Sequence, residues 1–86
     1  MWLRDVVESF LPALVYLKSL TIQFTDGNLI ISMQNDGSYN TTWYREQNVF
    51  TEEKHLLHHI DTFVHPVQSI LLSKGTQTLC LYKLDA

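Results

Sequence analysis

The sequence predicts an α+β domain: an antiparallel β-meander of at least three strands, packed by a long helix near the C-terminus, with a short N-terminal helix ahead of it. Three observations predict it. Apolar residues alternate at a period of two from Leu20 onward, turn-forming stretches at Asp26-Gly27 and Asn35-Asp36-Gly37-Ser38 divide that region, and apolar residues then recur at helical spacing from Leu56 to Leu72. At 86 residues the chain is one domain, whole or as a fragment of a longer protein. Its 45% hydrophobic content and 17% charged residues exclude a disordered chain.

Trp2, Leu3, Val6, Val7 and Phe10 follow helical spacing, with Arg4, Asp5 and Glu8 between them. Pro12 disturbs any continuation, so Leu14-Val15-Tyr16-Leu17 is either a second short helical piece or a strand. Leu20, Ile22 and Phe24 alternate with Thr21, Gln23 and Thr25 as on a half-buried strand. Asp26-Gly27 accepts the positive φ of a tight hairpin, and the return strand runs from Asn28 to Gln34. Tyr39 to Arg45, rich in Thr and aromatics, is the third strand; Asn40-Thr41-Thr42 matches a glycosylation sequon and reads here as strand residues. Thr51 is placed to cap a helix that Glu52 and Glu53 favour through its dipole. The apolar face of that helix extends through Leu56, Leu57, Ile60, Phe63, Val64, Val67, Ile70 and Leu71, kinked or divided in two at Pro66 and ending at Lys74-Gly75. Thr76 to Leu84 reads as a closing strand.

Charge narrows the partners. Six Lys and Arg stand against nine Asp and Glu, and the basic residues are scattered singly, which argues against nucleic acid and against an anionic membrane surface. No apolar run approaches the roughly 18–20 residues a membrane helix needs, and no basic-then-apolar leader opens the chain, so a cytoplasmic setting is expected. Cys80 has no second cysteine to pair with.

Catalytic and cofactor chemistry finds little support. His55 and His59 are one helical turn apart and, with His58, are the residues a small metal-dependent enzyme would use. The zinc-protease pattern needs Glu after the first His, and Leu56 stands there, so solvated helix-face histidines are expected and no metal site is assigned. Cys80 lies in an apolar strand context that makes a thiol inert, and the three glycines sit at turns or a helix end, leaving no phosphate loop. No catalytic residue and no cofactor is expected. Trp43 and Tyr44 point to opposite faces of a strand, so one of them is expected exposed and available for contact.

The segments Leu20-Thr21-Ile22-Gln23-Phe24-Thr25-Asp26-Gly27 and Leu29-Ile30-Ile31, preceded by Leu14-Val15-Tyr16-Leu17, resemble the opening of a polo-box domain. Asn35-Asp36-Gly37-Ser38 and Thr41-Thr42-Trp43-Tyr44 are similar to later turn and strand positions, and His58 to Leu72 to the long helix that closes the box. The likeness covers about two-thirds of the chain and is nearest to the single C-terminal box of the centriole-duplication polo-like kinases. The His-x-Lys pair of phosphopeptide-binding boxes is absent, since His55 follows Lys54. The resemblance therefore implies a non-catalytic module that dimerises or docks a helical partner, in centriole or spindle-related assembly. A helix–meander–helix module like the RWD-type ends of kinetochore proteins is the alternative. If the box resemblance holds, the helix packs Ile60, Phe63, Val67 and Ile70 inward and leaves Leu57, Val64 and Leu71 as an exposed heptad row for a partner or a second copy.

Overall fold

The computed structural model describes residues 2–84. Helix α1 (Trp2–Phe10) runs into a 3-10 turn (Leu11–Val15), followed by strands β1 (Ser19–Phe24), β2 (Gly27–Met33), β3 (Tyr39–Trp43) and β4 (Glu46–Phe50). Helix α2 (Glu53–Ile60) then leads to β5 (Val67–Lys74) and β6 (Gln77–Lys83). The six strands form one antiparallel sheet in the order β4-β3-β2-β1-β5-β6.

The N-terminal stripe explains itself. Leu3, Val7, Leu11 and Leu14 are buried at intervals of three or four residues, so α1 and the 3-10 turn present one apolar edge to the sheet. Pro12 falls in the first turn of the 3-10 segment, where its missing N–H costs nothing. The Tyr16 and Leu17 N–H groups both donate to the Ala13 carbonyl, and this closes the turn. Leu14–Leu17, matched above to a polo box's opening strand, is thus largely 3-10 turn and bend.

The long C-terminal helix is overturned. Helix α2 stops at Ile60, and Val67–Lys74 is a strand paired on both sides, with β1 (Ile22 opposite Ile70, Leu20 opposite Leu72) and with β6 (Leu72 opposite Leu79). Pro66 neither kinks nor divides a helix: it disfavours helical geometry at His65, and its own carbonyl accepts from the Thr25 N–H, which pins the start of β5 to the end of β1. The residues beyond it include β-branched Val67 and Ile70, which suit a pleated surface better than a helix. Leu71, on the helix-free face, is as apolar as the core-facing Ile70 and Leu72 beside it, so Ile70-Leu71-Leu72 lacks the clean alternation that marks a half-buried strand. Its apolar residues fall at helical intervals by coincidence.

Smaller corrections follow the same logic. The residue preceding α2 is Glu52, in extended conformation and with no side-chain cap, so Thr51 is not the capping residue. Lys74-Gly75 is a hairpin corner, where Gly75 takes φ +58°, not a helix end. At the β1–β2 hairpin the turn residues are Thr25 and Asp26, and Gly27 is already paired with Phe24. Gly27 does not have positive φ; it is glycine because a Cβ there would come within 2.8 Å of both the Trp43 ring and the Tyr44 hydroxyl. The β2–β3 turn does use left-handed backbone, at Gly37, and Ser38 closes it by donating from N–H and hydroxyl to Asp36 Oδ1 at 2.9 and 2.6 Å. Those hydrogen bonds, the hydroxyl's first, hold the Asp36 carboxyl below its ordinary range.

The core lies between one sheet face and the helical layer. Leu20, Ile22, Phe24, Leu29, Ile31, Ile70 and Leu72 face α1, the 3-10 turn and α2, which contribute Leu3, Val7, Leu11, Leu14, Leu56, Leu57 and Ile60. An Arg4–Asp61 ion pair at 3.0 Å ties α1 to the end of α2. The opposite sheet face, with Thr21, Gln23, Ile30, Thr42 and Leu71, carries no helix. Among the described residues no helix is long and apolar enough to cross a membrane.

Candidate protein-binding edge

The sheet ends on one side at β4 and on the other at β6, and the two edges differ in chemistry. β4 is five residues long and begins with Glu46, and α2 leans on it. Each edge strand carries one terminal charge; what protects β4 is its shorter length and the helix beside it. β6 is seven residues long, Gln77-Thr78-Leu79-Cys80-Leu81-Tyr82-Lys83, with a single charge at its far end. Its outer side is unpaired among the described residues, so a row of backbone N–H and C=O groups faces solvent.

Apolar surface gathers along that edge. Leu79 is 61% exposed, Leu84 54% and Trp2 46%. Trp2 reaches β6 from α1 and rests on Tyr82, ring centroids 5.0 Å apart. Between the edge and the 3-10 turn lies an open groove of about 650 Å³, lined by Leu17, Leu72, Lys74, Gln77, Thr78 and Leu79. Val15 and Tyr16, also exposed, continue the apolar surface beyond Leu17. A bulge helps shape the edge: Ile70 pairs with Tyr82 and Leu71 with Cys80, so Leu81 is the extra residue, and it turns inward against the core with Tyr82.

The residues singled out in the sequence are dispersed. Leu57 is buried in the core, Val64 stands 78% exposed in the connection from α2 to β5, and Leu71 lies half-buried on the helix-free face of β5. They belong to a helix, a loop and a strand, and the expected row does not exist. Trp43 and Tyr44 do not alternate across a strand either. β3 ends at Trp43, and Tyr44 sits in the two-residue turn to β4 with φ +55°, a left-handed conformation uncommon for an aromatic residue. Its ring meets Trp43 edge-on at 4.9 Å, and its hydroxyl donates to the Asp26 carbonyl. Trp43 in turn is enclosed by Phe24, Phe63 and His65, the last stacked at 5.7 Å. This aromatic group locks the β1–β2 and β3–β4 turns together.

The histidines go to separate tasks. His55 and His58 are exposed on α2, while His59 is held between Phe50 and Phe63 at 5.1 and 5.3 Å. Burial there pushes the His59 pKa below its ordinary value of 6.5, with Glu46 opposing more weakly. His65 lies in the loop after α2, its Nδ1 2.8 Å from Asp26 Oδ2. Among the described residues no three of His, Cys, Asp or Glu converge on a possible metal position. Cys80 is on a strand as expected, but exposed rather than set in apolar surroundings.

Sequence reasoning passed over the β6 edge. Its signal was present in Gln77–Lys83, a run of apolar, aromatic and Thr residues with one charge, but only the sheet order reveals that no strand among the described residues pairs with its outer side. No family model matches the chain, and neither a curated protein nor a solved structure matches it.

Proposed function

We propose that this chain is a non-catalytic protein–protein interaction module whose partner adds an extended segment to the outer edge of β6. The observation that carries the reading is that edge: a seven-residue strand with one charge, paired to β5 on its inner side and unpaired on its outer side among the described residues, beside an apolar groove. An edge strand satisfies its outward N–H and C=O groups by accepting another strand, while a flanking groove receives one of the added side chains. The likeness of Leu20–Gly27 and Leu29–Ile31 to polo-box strands supports the same class, since such boxes act by contact and not by catalysis. The exposed heptad row is no part of this reading, and an extended segment replaces the helical partner.

A displayed library of short random peptides, selected on the wild-type chain and counter-selected on Leu79→Asp, tests it. Leu79 is exposed, so the variant keeps the fold, as circular dichroism would show. The expected result is enriched peptides that shift backbone amide resonances along Gln77–Leu84 and at Leu17. Failure to enrich any peptide, or shifts centred on Trp43 and Tyr44 instead, would overturn the proposal.

A further inference from the structure

Charge is unevenly divided over the sheet, and the division specifies the partner. The chain as a whole is acidic, yet from Val67 up to Asp85 it contains two lysines and no carboxylate. Between Ser9 and Thr25 its only charge is Lys18. The acids of the strands and their turns, Asp26, Asp36 and Glu46, belong to the β1–β2 turn, the β2–β3 turn and β4. Lys74 lies at the open end of the apolar groove with Gln77 and Leu79, and Lys83 lies at the other end of β6 with Gln23 and Ser69. Among the described residues the outer edge of β6 is therefore an apolar strand with a lysine near each end; in the sequence Asp85 follows Lys83 by two positions.

We infer that the segment β6 accepts is an extended peptide with apolar residues at its centre and a carboxylate near each end, an inference that rests on the strand-addition reading above. A strand of seven or eight residues spans about 20–25 Å and matches the length of β6. Its backbone pairs with the edge, a central aliphatic side chain enters the groove beside Leu79, and its terminal acids meet Lys74 and Lys83. Among the described residues a second copy offers no carboxylate to Lys74 or Lys83: antiparallel pairing of β6 with itself about Cys80 sets the Lys83 of one copy toward the end that carries the other copy's Lys74.

The probe is a capped peptide, Glu-Val-Thr-Leu-Thr-Val-Thr-Glu, compared with the same peptide carrying Lys at both ends. Binding is read from amide shifts in β6 and from fluorescence titration at low and high salt. The acidic peptide is expected to bind about tenfold more tightly, since two exposed attractions become two repulsions, and to lose that advantage as salt rises. The double variant K74E/K83E, exposed at both sites, is expected to reverse the preference. Equal binding of both peptides at β6 overturns the charge specificity and leaves strand addition standing. If neither peptide binds and sedimentation shows a dimer disrupted by Leu79→Asp, the occupant is a second copy and this inference is wrong. If neither binds and the chain is monomeric, strand addition itself is refuted.

Discussion

Replacing Leu57 and Val64 separately by alanine distinguishes this structure from a continuous apolar helix. On such a helix the two residues share one exposed row and respond alike. Here Leu57 is 2% exposed among Leu56, Ile60 and the α1 stripe, whereas Val64 is mostly in solvent. Truncating a buried Leu to Ala costs about 2–5 kcal/mol, through lost transfer energy and the cavity that remains. A middle value of about 3 kcal/mol is a large share of the roughly 5–15 kcal/mol that holds a domain together. For a domain of this size it lowers the melting temperature by roughly 12–24 °C. Val64→Ala removes surface already wet, so its effect stays within about 0.5 kcal/mol, or under roughly 4 °C. Thermal melts followed by far-ultraviolet circular dichroism, with urea titrations to confirm an unchanged slope, measure both. Equal small shifts would mean that Leu57 is not core, and a large loss from Val64→Ala would mean that the α2–β5 connection is packed. Either result refutes the fold described here.

Three further outcomes are expected. Gly27→Ala forces the Trp43 ring and the Tyr44 hydroxyl to move, which costs about 1–3 kcal/mol and changes the near-ultraviolet circular dichroism of the aromatic group. Tyr44→Phe removes the hydrogen bond to the Asp26 carbonyl and lowers stability by about 0.5–1 kcal/mol, readable in urea, because the site is exposed. Since burial lowers the His59 pKa, its neutral form is the one the fold favours: the stability it contributes is fully present above pH 6.5 and is lost as pH falls through the lower folded-state value. Denaturation midpoints across that range should show the loss, and His59→Leu should remove this component.

What could be read from the sequence depended on where each strand sits. β1 alternates cleanly because Leu20, Ile22 and Phe24 enter the core while Thr21 and Gln23 stay on the helix-free face. The α+β class and the three hairpin-linked strands followed from that alternation and from the turn residues. β5 was illegible as a strand because Leu71 on the helix-free face continues the apolar Ile70 and Leu72 of the core face, and a short apolar run fits helix and strand equally. β4 went unread for the opposite reason. Glu46-Gln47-Asn48-Val49-Phe50 is an exposed edge held by backbone pairing to β3, with only two apolar residues to mark it. Trp43 ends β3 and Tyr44 stands exposed in the turn that follows, a placement the sequence does not display because it depends on the left-handed backbone at Tyr44.

The central position of β1 has a consequence for how the chain folds. Its partner β2 is the next strand in sequence, and a two-residue hairpin of this kind closes in about 1–10 μs. Its other partner, β5, arrives only after β3, β4 and α2 have been made. Pairing Ile22 with Ile70 must therefore overcome the closure entropy of a long intervening segment before any burial compensates it. Until then the inner edge of β1 stands open, with Leu20, Ile22 and Phe24 wet on one flank. A chain interrupted on the ribosome, or cut within the α2–β5 connection, is left in that state. Pairing of β5 is the step that covers this edge of β1, and β5's own outer edge is covered in turn only when β6 pairs with it.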